Sequence, residues 1–326
     1  MIHRRTSLVA TLGAAACALL AAAPLTAAAD GAYPQRPVEI VVPYAAGGGA
    51  DVMARAFAAA SARHFPQSFI VVNKPGAAGV IGWTDVINAK PDGYKLALTT
   101  VEVTFLNYLG LAKFGWDELV PIAKLNGDPA VLVVRADAPF TTLEQFLEAS
   151  KKPGANTRIG NAGQGSMWHL SAVALADKAG ANLNHIPFAG GNPALQSLLG
   201  GHIEAVIASA PEVATHVSSG KLRALGVMSA RRIKGFENVP TMKERNYDLV
   251  LGTWRGLAVP KGTPPEVIET LKTVVAKTMQ EPSLRETMEK QNFSTDTYED
   301  QAAFRASMAR ESAYIKEIAA KADMKK

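Results

Sequence analysis

Short apolar runs alternate along the chain with stretches whose apolar positions recur at helical spacing. The run Val38-Glu39-Ile40-Val41-Val42 predicts a buried strand, and Gly47-Gly48-Gly49 follows it as a tight loop. Val52, Met53, Ala56, Phe57 and Ala60 then mark one face of a helix. The same reading predicts strands over 68–72, 95–100, 131–134, 157–160, 184–188, 203–208, 222–228 and 254–259. Helices are expected over 80–89, ended by Pro91-Asp92-Gly93, and from Ser166 as N-cap through Ala179. Thr141 with Glu144 forms an expected capping box for a helix to about residue 152, and Thr241 with Glu244 forms another. Thr263-Pro264-Pro265-Glu266 opens a helix, and the rest of the chain reads as amphipathic and helical. Alternation of this kind predicts an α/β fold with mostly parallel sheets.

Composition changes the picture mainly at the N-terminus. Arg4 and Arg5, the apolar run from Leu8 to Leu20 and Ala27-Ala28-Ala29 have the layout of a Sec-type signal peptide over residues 1–29, cleaved near Ala29. The single cysteine, Cys17, falls inside that leader, so no disulfide framework or thiol chemistry is expected in the mature chain. After the leader no run is long and apolar enough to span a membrane. Arg4 and Arg5 account for two of the net +5 charges, and the remaining Lys and Arg are scattered. That pattern argues against nucleic acid and supports only a mild attraction for anions.

Candidate chemistry centres on strand-to-helix turns. Residues 44–51 combine Tyr44, Ala46, Gly47, Gly48, Gly49 and Asp51 at a helix start, which presents free amides and a positive helix end to an anion, phosphate or carboxylate alike. Val52 stands where a dinucleotide fingerprint needs glycine, and no Gly-Lys-Ser/Thr follows for a P-loop. Thr100, with Glu102 beyond it, lies at the same strand edge. Glu102 there would repel a simple polyanion unless it faces solvent or answers a cationic or hydroxyl group of the ligand. Ser166 and His169, with Trp168 between them, invite a nucleophile–base reading, yet no G-x-S-x-G elbow or orienting acid accompanies them. An N-cap serine and a cleft-wall histidine fit better. The histidines have no metal-ligand spacing, and no cofactor is expected. Arg255 reads either as a partner for an extra ligand carboxylate or as half of a structural salt bridge.

Signatures in fixed order extend over essentially the whole mature chain. They include Tyr33-Pro34, Arg36-Pro37-Val38, Val42-Pro43-Tyr44, Gly47-Gly48-Gly49-Ala50-Asp51 and Asn73-Lys74-Pro75-Gly76-Ala77-Ala78-Gly79. Further on come Pro91-Asp92-Gly93-Tyr94, Gly163 to Ser166 with His169-Leu170, Gly190-Gly191, Leu199-Gly200-Gly201 and Gly220 to Leu225. Val239-Pro240-Thr241 and Pro260 to Pro265 complete the set. Together they resemble the Bug, or tripartite tricarboxylate transporter, extracytoplasmic binding proteins.

The resemblance implies a two-domain periplasmic binding protein of the type II, Venus-flytrap kind, with two crossover connections. One domain would comprise 30–128 plus 256–326 and the other 129–255. It implies a monomer in the periplasm that holds a small organic carboxylate in the interdomain cleft and passes it to one large and one small integral membrane subunit. The first anion site would be 46–51 and the second Gly163, Gln164, Gly165 and Ser166 through His169. Phe188, Gly190 and Ser209 would line the walls. Two other roles stand beside this one: presenting a ligand to a sensor kinase, and a secreted hydrolase built on Ser166 and His169.

Overall fold

Residues 33–321 are described by the structure, a computed structural model. The expected leader and its cleavage site lie outside the described residues. From Arg36 onward the chain forms one unit.

The first half opens with β1 (Val38–Val42), α1 (Gly49–Ser61), β2 (Phe69–Asn73), α2 (Val80–Ile87) and β3 (Lys95–Thr100). β1 pairs in parallel with both β2 and β3, so their C-terminal ends and the turns that follow share one edge. Next comes β4 (Leu119–Arg135), a single strand of 17 residues where only 131–134 was expected. Its earlier part carries Pro121, Lys124, Asn126, Asp128 and Pro129, a composition that hides a strand. That part pairs antiparallel with β9 (Gly252–Pro260) as far as Pro129 opposite Gly252.

From Ala130 onward β4 instead pairs with β7 and β8, so one strand passes from one half of the sheet into the other. The second half contains α3 (Leu143–Lys151), β5 (Thr157–Asn161), α4 (Met167–Ala179), β6 (Leu183–Pro187), α5 (Gly191–Leu199), β7 (Ala205–Ser209), α6 (Ala210–Ser218) and β8 (Leu222–Val227). The chain returns through β9 and ends in α7 (Pro265–Thr278), α8 (Pro282–Lys290) and α9 (Gln301–Lys321). Sheet order is β2-β1-β3-β9-β4-β7-β5-β6, with β8 also beside β4. The outer strands are parallel, as the alternation predicted. The centre, where β4 and β9 cross, is antiparallel.

One expected cap sits elsewhere. Thr142, not Thr141, caps α3 and accepts from the Gln145 amide, because Gln145 reaches back to the Thr141 amide and hydroxyl. Thr241 and Glu244 do exchange the two bonds of a capping box, but over the short turn Lys243–Arg245 rather than a full helix.

One apolar core runs through both halves, taking in Trp83, Phe105, Met167, Trp168, Trp254 and Phe304. A second core lies under α5 and α6. Trp254 meets Phe304 edge to face at 4.9 Å, and its indole N–H donates to the Glu311 carboxylate on α9. Burial, opposed by Trp254 and Lys124 and aided by Glu102 and Glu299, pushes Glu311 up to about 7. The folded state therefore holds this proton more tightly than the unfolded chain. The resulting stabilisation is complete below the ordinary Glu range and is lost as pH rises through about 7. Glu311→Gln keeps an acceptor for Trp254 without the charge. At pH 8 it is expected to raise stability by roughly 2–3 kcal/mol, with little gain at pH 5. Urea melts at the two pH values check this; equal changes at both would contradict it.

Candidate functional site

The edge formed by β1 and β3 brings Tyr44 and Thr100 together, with the Tyr44 hydroxyl 2.8 Å from Thr100 Oγ1. Thr100 spends its only proton on Glu102 Oε2, at 2.6 Å, so Tyr44 is the donor to Thr100. Burial, and next the Glu102 charge, push the Tyr44 phenol well above its usual range. The polar chain is therefore fixed in direction: tyrosine to threonine to carboxylate.

The glycine loop is held from below. Gly47 adopts φ +80°, a conformation that favours glycine, and its amide donates to Asp51 Oδ2 at 2.9 Å. Asp51 also accepts from Arg55 at 3.0 Å and from Asn73 Nδ2 at 2.9 Å, and Asn73 ties back to the Tyr44 carbonyl. Burial raises the Asp51 carboxyl, but these bonds outweigh it and the pKa ends below the usual carboxylate range. Asp51 is thus the brace that shapes the loop. Above it, Ala46 and Gly47 are exposed, and Gly48, the N-cap of α1, offers no side-chain cap. The first-turn amides of α1 are left for an outside acceptor.

The start of α4 is built differently. Gly163 donates its amide to Asn161 Oδ1, Gly165 to His169 Nδ1 and Ser166 to the Gly163 carbonyl. Ser166 Oγ, the expected N-cap, accepts from the His169 amide, and the Met167 amide donates to Glu102 Oε1 at 3.2 Å. Gly165 packs so closely on Leu111 and Leu109 that an added Cβ would lie 2.5 Å and 3.3 Å from their methyls. Residues 163–169, expected as a second anion site, thus have most of their donors answered by the protein itself. Gln164 alone of this turn is exposed, and Trp168 is buried in the core.

His169 cannot serve Ser166 as a base, because its Nδ1 already accepts the Gly165 amide. Burial, and then the neighbouring His185 ring at 5.0 Å, hold its pKa at about 4, so it is neutral near pH 7. Ser209 is also self-capped, its amide and hydroxyl both donating to Glu212 Oε2. Gly190, by contrast, caps α5 without a side chain, and the Phe188 carbonyl lies beside Gly163.

Arg255 lies in β9 opposite Thr100 and is buried. Its Nη1 donates to Asp128 Oδ2 at 2.5 Å and its guanidinium stacks over Phe293 at 5.0 Å. Nη2 abuts Gly49, where an added Cβ would stand 2.6 Å away, and Nε has no partner. Of the two readings open from sequence, the structure shows the salt bridge. Asp128, which sequence reasoning missed, also accepts from Asn126 and from the Ser294 amide. Among the described residues no group of His, Cys, Asp and Glu could hold a metal ion, and no helix is long and apolar enough to cross a membrane.

Comparison with known proteins settles what this architecture is. Residues 53–320 match the model of the tripartite tricarboxylate transporter family receptor, TctC. The chain belongs to that family. A UPF0065 protein in the gbd 5' region of Cupriavidus necator is 38% identical over 285 residues, covering 86% of each chain. Protein BugT of Bordetella pertussis is 34% identical over 281 residues, 84% of this chain and 85% of BugT. Among solved structures, a TctC solute-binding protein from Polaromonas without ligand shares 55% identity, with TM-score 0.71 over 89% of this chain and 99% of that one. An R. palustris protein solved with adipate shares 25% identity, with TM-score 0.83 over 89% of this chain and 98% of that one. A TctC family member is a solute-binding receptor of the periplasmic binding protein class and not an enzyme, in keeping with the self-occupied Ser166 and His169.

Proposed function

We propose that this receptor captures a small organic carboxylate at the start of α1 and delivers it to a tripartite tricarboxylate-type transporter. The carrying observation is the uncapped first turn of α1, held open on a loop that Asp51, Arg55 and Asn73 make rigid. An anion there gains charge-assisted bonds from backbone amides and the positive end of a 13-residue helix. The uncapped start of α5 and the exposed Gln164 are the neighbouring donors proposed to meet the far end of the ligand, with Phe188 and Gly190 beside them.

In this reading the two halves of the sheet are lobes, 30–128 with 256–326 and 129–255, and β4 and β9 are the crossings about which they move. The better superposition on a 25%-identical neighbour holding adipate than on a 55%-identical one without ligand supports movement between lobes. Export with removal of the leader, a monomeric receptor, and handover to one large and one small membrane subunit complete the proposal.

Thermal melts of the purified mature protein against mono-, di- and tricarboxylates of two to six carbons test it. At a ligand concentration about 100-fold above Kd, mass action predicts a rise of about 5 °C or more for at least one acid. Silence across the whole panel would contradict carboxylate capture.

A further inference from the structure

The segment 101–112, which follows β3, is rich in apolar side chains, among them Phe105, Leu106, Leu109 and Leu111. Its backbone folds back on itself: the Leu111 and Ala112 amides both donate to the Leu106 carbonyl, and Gly110 before them takes φ +70°. It is also tied to α9. The Tyr108 hydroxyl lies 2.9 Å from Ser312 Oγ, and Ser312 Oγ donates to the Thr104 carbonyl at 2.8 Å. Ser312 has thereby spent its proton, so Tyr108 is the donor to it. The segment is a stiff bracket fixed to the half that holds β1 and α9.

The bracket reaches into the other half and holds the turn before α4. Methyls of Leu111, Leu109 and Leu106 lie 2.5, 3.3 and 3.9 Å from the place a Cβ on Gly165 would take, so they surround bare backbone there. The base of the bracket holds the same turn through Glu102 Oε1, which accepts the Met167 amide at 3.2 Å. Leu106, Leu109, Met167 and Trp168 share one core, whereas Leu111 is 45% exposed. The Arg231–Asp296 ion pair also joins the halves, but both side chains are largely exposed, and such pairs contribute little.

The turn held by the bracket carries the exposed Gln164, one of the donors proposed to meet the far end of the captured acid. Apolar contact that exists only while two lobes are together favours that arrangement, and so favours whatever binds to it. We propose that segment 101–112 is a closure latch: its leucines pack on the α4 turn as the halves close, which strengthens capture without touching the captured acid. The inference rests on carboxylate capture between the halves. It also gives the glycine at 165 a second cause beside its φ of +78°, because the latch occupies the space of a side chain.

The probe is the acid giving the largest thermal shift in the carboxylate panel, titrated calorimetrically into the mature protein. Leu111→Ala is expected to weaken binding about fivefold, through faster release, with the melting temperature of the free protein within about 2 °C of wild type. Gly165→Ala is expected to weaken it as well, because the added methyl meets Leu111. In that background Leu111→Ala is expected to tighten binding, a reversal that independent sites do not give. A change below about twofold for Leu111→Ala, tighter binding, or the same loss in both backgrounds overturns the latch. Hydrogen exchange of the wild type decides the matter if a variant does not fold. Amides of 105–112, where no contact with the acid is proposed, are expected to exchange more slowly once the acid is bound, and unchanged exchange there overturns the proposal. Failure of the wild type to bind any acid of the panel would instead remove the capture reading, and the latch with it.

Discussion

Arg255→Ala is expected to destabilise the protein by roughly 3–5 kcal/mol, among the largest effects of any single side chain here. Arg255 and Asp128 sit on the two strands that cross between the halves, both almost fully buried. Removing the guanidinium leaves Asp128 buried with only Asn126 and the Ser294 amide to answer it. It also opens a gap beside Gly49 and Phe293. Arg255→Lys is expected to recover only part of the loss, because one ammonium cannot fill the space of the planar fork. The double variant Arg255→Met with Asp128→Asn is expected to be more stable than Arg255→Ala, since it removes both charges together. Urea denaturation measures all three; a loss below about 1 kcal/mol for Arg255→Ala would show that the crossing does not depend on this pair.

Gly48→Val is expected to lower ligand affinity about 100-fold while leaving the melting temperature of the free protein nearly unchanged. Gly48 has φ −77° and ψ 165°, ordinary extended backbone that a β-branched residue adopts readily. The nearest atom to an added Cβ is the Ala45 carbonyl oxygen at 3.6 Å, an ordinary contact. The backbone therefore tolerates the change. The side chain of an N-cap residue, however, projects over the first-turn amides, which is why serine or aspartate there caps a helix. Valine covers the same amides without accepting their hydrogen bonds, excluding both water and ligand. Gly49 behaves oppositely: an added Cβ would stand 2.6 Å from Arg255 Nη2, so an alanine there must displace the guanidinium that pairs with Asp128.

Strand and helix placement was legible because burial imposes a period on the residues, and the turn at 44–51 stood out because three glycines run together there, of which Gly47 takes a positive φ. Long-range pairing was not legible. Glu102 looked like an isolated acid, since its partner amide at Met167 is 65 residues away. Arg255 showed no sign of Asp128, 127 residues distant. The first part of β4 was hidden by polar residues and prolines, which are poor strand formers. The difference between the α1 and α4 starts was not legible for the same reason: whether a helix end is open depends on which distant side chain reaches it.

The affinity of wild type and Gly48→Val for the carboxylate giving the largest thermal shift, measured by calorimetric titration, tests the central claim most directly. Capture at the start of α1 predicts a clear saturable heat for the wild type and a loss of about two orders of magnitude in the variant, with matching melts of the free proteins. Equal affinity in the two proteins would contradict it and place the ligand elsewhere.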